Sequence, residues 1–269
     1  MYPFPIAKPE TKTEILYATD FSEPSRRAFA CAKEIARRRG AFLRSVHIID
    51  LSAQEVRQHI SFQAALGEAH RTLRLLRREL RLGGIKEAAT VITAGTCAQA
   101  IRDAALRYHS SLLIMGLHGE PGLTVPVFGG TVRRIIRNPP CPVLTIGMLG
   151  PATQKNGLKR VLLVTDRDPE SLKAVEKAWP VEAHGLAAAH FAVLSPDASM
   201  DAGTAFDGKD HDVPLHPLAY GEAAKAILAK ADELQANLIV LGMQAGEYLD
   251  SMAVGSVARA VITKAPCPV

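Results

Sequence analysis

The chain has 269 residues, of which 48% are hydrophobic and 22% charged, with a net charge of +5. That length suits one large or two ordinary domains, and the composition excludes general disorder. No run of about 18 apolar residues occurs, which excludes a membrane-spanning helix.

The first ten residues, Met-Tyr-Pro-Phe-Pro-Ile-Ala-Lys-Pro-Glu, have no basic stretch leading into an apolar one. They read as a short Pro-stiffened leader and not as a signal peptide, so a cytoplasmic location is expected. A strand is predicted over Ile15–Thr19. Ser22 then offers a cap and Pro24 a first-turn residue for a helix running to Gly40. Phe42–Ile49 reads as a second strand. Ala53–Leu82 has helical spacing and ends at Gly83-Gly84. A third strand is predicted over Ala89–Ala94 and a helix over Thr96–Tyr108. A fourth strand follows over Leu112–Met115, then a short helix over Gly130–Arg137 and a last strand over Pro142–Ile146. Strands alternating with helices imply a parallel, doubly wound sheet with helices on both faces.

The pattern then repeats. Ser111-Leu-Leu-Ile-Met-Gly116 matches Asn237-Leu-Ile-Val-Leu-Gly242, and the stretch from Gly130 to Val143 matches that from Gly255 to Val269. Glu14–Asp20 likewise matches Arg160–Asp166. Similarity at the ends and in the middle marks a duplicated domain. The boundary is expected near Leu149–Asn156, giving domains 1–150 and 151–269. In the second copy, strands are expected over Arg160–Thr165, Leu186–Leu194, Val213–Ala219 and Leu238–Leu241. A polar loop, Pro196–Asp212, replaces the long helix, and the first helix is cut short by Pro180. The last strand stops at Val269, where the first copy continues Leu144-Thr-Ile-Gly, so it is expected to be truncated. Residues 1–150 carry 21 Lys+Arg and 12 Asp+Glu, a net +9; residues 151–269 carry 11 and 15, a net −4. Opposite signs allow attraction between the halves or of the first half with an acidic partner, but the plainer reading, two solvated surfaces that drifted apart, is preferred.

One loop carries chemistry. Gly116-Leu-His-Gly119 follows an apolar strand, and Gly130-Thr131 opens a helix. Glycines let backbone amides approach an anion, and a helix start supplies unpaired N–H donors at a positive dipole end. With strand order 3-2-1-4-5, this loop and Asp20 flank the switch point where ligands settle in open α/β sheets. The glycines could equally build only a tight turn, and Asp20 could cap the first helix.

These residues resemble the nucleotide-binding universal stress proteins, whose pattern is Gly-x2-Gly-x9-Gly followed by Ser or Thr. Here the spacer is one residue longer, with Gly129 at the usual place. The resemblance spans Ile15–Ile146 and most of the second copy. It implies two tandem five-stranded sheets of the adenine nucleotide alpha hydrolase-like kind, the second degenerate and lacking a helix. It also implies ATP or a relative, with Mg, bound in the first domain. Ala18 and Asp20 would lie at base and ribose, and Ile48 would meet adenine through its backbone. Met115 and Gly116 would line the sugar, while Gly119, Gly130, Thr131 and Val132 would hold the phosphates. No Lys or Arg lies in 117–129, so Arg133 or Arg134 would assist.

The second loop reads Gly242-Met-Gln-Ala245, nine residues, then Gly255-Ser256, with Glu247 and Asp250 beside it. A methyl group and two negative charges there make it a degenerate partner packed on the first unit. By resemblance, last strands pair across a two-fold axis, so the two domains would form an internal pseudo-dimer, with a homodimer also open.

Other signals are discounted. Arg71, Arg74, Arg77, Arg78 and Arg81 line one helix without interleaved aromatics, so they read as a solvated face with Glu79 as local partner and not a nucleic-acid surface. His118 could donate to a phosphate or simply be solvated. His211 and His216 have no metal-ligand spacing. The four cysteines, Cys31, Cys97, Cys141 and Cys267, form no C-x-x-C pair, which argues against a disulfide framework or a zinc site. No catalytic triad elbow, Walker loop or paired-carboxylate motif is present, so the expected role is a regulatory nucleotide-binding module. Slow ATP hydrolysis is allowed, with no residue marked as its base. The alternatives are a nucleotide-free scaffold working through protein contacts, or a nucleotidyl transferase, disfavoured for want of its motifs.

Overall fold

A computed structural model describes residues 13–49, 62–92, 96–117, 129–147, 160–165, 188–193, 223–242 and 255–269. The first unit builds β1 (Glu14–Thr19), α1 (Glu23–Arg39), β2 (Phe42–Ile48), α2 (Phe62–Leu82), β3 (Glu87–Ile92), α3 (Cys97–Arg107), β4 (Leu112–Gly116), α4 (Gly130–Arg137) and β5 (Val143–Ile146). Its five strands are all parallel, in the order β3-β2-β1-β4-β5.

Helix α1 shows how local sequence sets the boundaries. Ser22 sits in extended conformation and its Oγ accepts from the Ser25 amide; Glu23 and Pro24 occupy the first turn. At the far end Gly40 takes φ 57, a conformation that favours glycine, and its amide reaches back to Ala36 and Arg37. Strand side chains alternate between faces. Ile15, Tyr17, Leu43 and Ile114 pack with Ala28, Phe29 and Ile35 of α1. Leu16, Ala18, Val46, Leu113 and Met115 pack on the other face with residues of α3 and α4. Because helices cover both faces, β1 is buried along nearly its whole length.

Two expectations shift. The third strand begins at Glu87, two residues before the sequence reading, because the Glu87 carboxylate is anchored by Arg77 at 2.5 Å and by Arg81 at 3.4 Å. Glu79, expected to serve the arginines of α2, pairs instead with Lys33 of α1. Two of the five α2 arginines therefore staple the helix to the edge strand. The start of the long helix, at 53–61, lies outside the described residues.

The second unit builds β6 (Arg160–Thr165), β7 (Ala188–Val193), α5 (Ala223–Glu233), β8 (Leu238–Leu241) and α6 (Ser256–Lys264). Its described strands form a parallel sheet of three in the order β7-β6-β8, the arrangement of β2, β1 and β4 in the first unit. The repeat extends to single hydrogen bonds. Ser111 N–H donates to Glu14 O and Asn237 N–H to Arg160 O, each at 2.8 Å; Leu113 N–H donates to Pro142 O and Ile239 N–H to Pro268 O, each at 2.9 Å. The linker at 149–156, the Pro180 helix, the loop at 196–212 and the strand at 213–219 lie outside the described residues.

The two units meet directly. Thr145 N–H donates to Val269 O at 2.7 Å, Val269 N–H donates back to Thr145 O at 3.1 Å, and Thr145 Oγ1 adds a third bond to Val269 O at 3.0 Å. Val161, Leu163 and Leu238 share one apolar cluster with Ile114, Leu144 and Ile146. Ala258 and Ile262 of α6 share the other with Val132 and Ile135 of α4. Two apolar clusters therefore run through both units, beside a third built among the described residues from the second unit alone.

Two stability outcomes follow from this packing. Ile262→Ala, at a site 7% exposed, is expected to cost about 2–4 kcal/mol. Calorimetry should show one transition moving as a whole, whereas two separated transitions would mean the core is not shared. At Gly116 an added Cβ would lie 2.8 Å from the Pro24 carbonyl carbon and 2.9 Å from the Ser25 amide nitrogen. Gly116→Ala should therefore cost about 1–3 kcal/mol in urea denaturation.

Candidate nucleotide cradle

β1 and β4 lie side by side, with Ala18 in register with Met115. The crossover from β1 leads to β2 on one side, while β4 leads to β5 on the other, which opens a crevice at the carboxyl ends of these strands. Three pieces of chain converge there: the turn after β1, the end of β4, and the start of α4.

The start of α4 is built from glycine. Gly129 is its N-cap, with φ −55 and ψ 139, and no side chain caps it; the first intrahelical bond runs from Arg133 N–H to Gly129 O. The amides of Gly130, Thr131 and Val132 precede that bond and so lack helical acceptors. Among the described residues, a Cβ placed on Gly130 would meet nothing within 4 Å, so no described atom crowds that position. Val132 is buried and holds the turn against the core, Thr131 is half-buried and Gly130 exposed. Such a helix start attracts anions.

The turn after β1 is more constrained than its sequence suggests. Asp20 Oδ1 accepts from the Ser22 amide at 3.0 Å, from Ser22 Oγ at 2.5 Å and from Ser25 Oγ. Asp20 thus organises the start of α1. The three bonds fall on one oxygen, and among the described residues none is formed by Oδ2. The residue as a whole is exposed.

Phe21 follows with φ 65, uncommon for a side chain of this size. Its amide donates to Thr19 Oγ1 at 3.0 Å, and its ring stacks on His47 with centroids 4.2 Å apart. His47 Nδ1 lies 2.8 Å from Thr19 O. Since a carbonyl only accepts, Nδ1 carries the proton in that bond and Nε2 is left as an acceptor in the neutral ring. Burial pushes the imidazole below its ordinary range, against the opposing pull of the Thr19 bond and the Asp20 charge. Sequence reasoning missed this pair. An aromatic directly after the acid that ends β1, with a histidine near the end of β2, was the available signal.

The remaining candidates take distinct places. Ala18 and Met115 are buried in the core beneath the crevice, and Ile48 is half-buried at the end of β2. Gly116 ends β4 against the first turn of α1. Gly119 and His118 lie outside the described residues, as do Asp166, Ala245, Glu247, Asp250, His211 and His216. The second unit repeats the start: Gly255 caps α6 with φ −48 and ψ 141, again without a side-chain cap, and among the described residues a Cβ there would also meet nothing within 4 Å.

Other chemistry is muted. Burial pushes the Cys31 and Cys267 thiols up to about 12, so both remain protonated near neutral pH. Among the described residues, no group of three or more His, Cys, Asp or Glu gathers to hold a metal, and no helix is long and apolar enough to cross a membrane.

Comparison with known proteins gives the same architecture. A universal stress protein of Thermus aquaticus is 27% identical over 132 residues, 49% of this chain and 96% of that protein. One from Methanocaldococcus jannaschii is 26% identical over 138 residues, 49% of this chain and 81% of its own length. The crystal structure of a universal stress protein from Archaeoglobus fulgidus superposes with a TM-score of 0.73 at 22% identity, covering 95% of this chain and 94% of that one, a likeness in fold along both units. The model of the universal stress protein family matches residues 13–147 and again 202–269. That match takes in well over half of the sequence and falls in two successive stretches, so this chain is a tandem member of the universal stress protein family.

Proposed function

We propose that the first unit binds an adenine nucleotide, ATP or a close relative, as a regulatory module. One observation carries this reading: the glycine-built start of α4, whose first amides lack helical acceptors and which lies against the end of β4, the neighbour of β1. The phosphates would take the amides of Gly130, Thr131 and Val132, backed by the helix dipole. The ribose would take Asp20 through Oδ2, since Oδ1 serves the turn. The base would lie toward Ile48. Mg2+ would sit on the phosphates and neutralise their charge. What this chain's residues contribute is binding and orientation. Among the described residues none is placed as a general base, and slow hydrolysis stays compatible with this reading.

The second reading is a nucleotide-free scaffold. The Asp20 cap favours it, because a side chain already occupied in holding α1 has a structural reason to be there. In this reading the Thr145–Val269 pairing makes the product an internal pseudo-dimer that presents surfaces to other proteins.

Calorimetric titration of the full chain with ATP and Mg2+, together with chromatography of an acid-released extract, separates the two. A clean extract and no heat of binding would leave the scaffold. Gly130→Val is expected to abolish binding and Gly255→Val to preserve it. Both positions tolerate a side chain in the ligand-free fold, so neither change should unfold the protein. Equal loss in both would refute unequal roles for the units. Asp20→Asn keeps an Oδ1 acceptor for the turn, so its thermal midpoint should stay within about 2 °C of the parent while affinity falls about tenfold. A large drop in midpoint with affinity unchanged would show a cap and nothing more.

A further inference from the structure

Away from the cradle, α3 and α4 leave a groove of about 460 Å3 between them. Thr96, Gln99 and Arg102 line it from α3, and Arg134 and Asn138 from the end of α4; Ala98 and Ile135 supply its apolar part. Among the described residues, Gly129, Gly130, Thr131 and Val132 do not line it, whereas Arg134, which the resemblance set beside the phosphates, does. Two guanidiniums from different helices thus border one concavity with no carboxylate in its lining. Like charges brought to one groove in this way repel unless an anion joins them.

Each side is prepared for such an anion. Arg102 Nη1 donates to the Asn138 carbonyl, which fixes the guanidinium in the groove while its remaining donors are available. The nearest described acid on α3, Asp103, accepts from Gln99 Nε2 at 2.7 Å, so part of its charge is already met. Arg134 is exposed and sits on the opposite wall. Thr96 precedes α3 in extended conformation with no side-chain cap, so the positive end of that helix adds to the same field. A planar fork on each side matches the paired oxygens of a phosphoryl group better than a single carboxylate.

We propose that this groove is a second anion site of the first unit, taking the phosphoryl group of a small soluble molecule. It stands independently of the nucleotide reading.

The test is titration of the full chain with inorganic pyrophosphate at low salt, followed by 31P line width and calorimetry. Arg134→Gln, an exposed change with no described bond to lose, is expected to weaken binding about tenfold, and Arg102→Gln by at least as much. Added salt should weaken binding further. Gly130→Val should leave it unchanged. Pyrophosphate affinity that is indifferent to Arg134→Gln overturns the proposal, as does loss confined to Gly130→Val, which would place the anion in the cradle. Binding of a phosphoserine peptide without binding of pyrophosphate also overturns it, in favour of a protein partner.

Discussion

At the end of β4 the backbone of Gly116 and the first turn of α1 share a space that admits no Cβ, with Pro24 and Ser25 within 3 Å of where one would stand. This approach fixes the rest of the crevice. It brings the capping cluster of Ser22, Ser25 and Asp20 to the β1–β4 junction. It also holds Tyr17, whose hydroxyl donates to Ser25 O at 2.7 Å from inside the core. Burial drives the pKa of this phenol well above its usual range, and the nearby Asp20 charge adds to the rise. The glycine is therefore needed by the fold before any ligand is considered, and its place in a motif does not by itself argue for binding. Gly130 differs, since among the described residues nothing presses on it.

Much of this was legible in the sequence. Alternating apolar runs and caps located the first-unit elements, and α4 and β6 fall on their expected ranges, because Gly129–Gly130 and the run from Arg160 leave little choice. The order β3-β2-β1-β4-β5 follows from right-handed crossovers applied to that alternation. The candidate site was legible only as positions. Which oxygen of Asp20 serves the turn, and that Phe21 is held at positive φ by Thr19, depend on three-dimensional closure and leave no periodic trace. The start of β3 was misjudged for a related reason. Glu87 looks like a strand-breaking charge until Arg81, in the last turn of α2, and Arg77, one turn earlier, are seen to reach it.

The two units keep the same ladder while changing its side chains. Ser111 and Asn237 occupy one position and make the same backbone bond at 2.8 Å, and Pro142 and Pro268 accept the same bond at 2.9 Å. Backbone pairing is indifferent to side chain, so the sheet persists where the loop motif has decayed to Ala245. What the second unit keeps is what the shared core requires: Val161 and Leu163 on one face, Ala258 and Ile262 on the other.

The reciprocal bonds between Thr145 and Val269 have an evolutionary consequence. When separate identical subunits meet about a two-fold axis, every substitution appears on both sides at once. Covalent fusion lifts that rule, and each half then accumulates changes alone. A net +9 facing a net −4 is a state no symmetric homodimer can reach. The joined molecule can therefore hold opposite net charge in its two halves, an asymmetry open only to a fused pair.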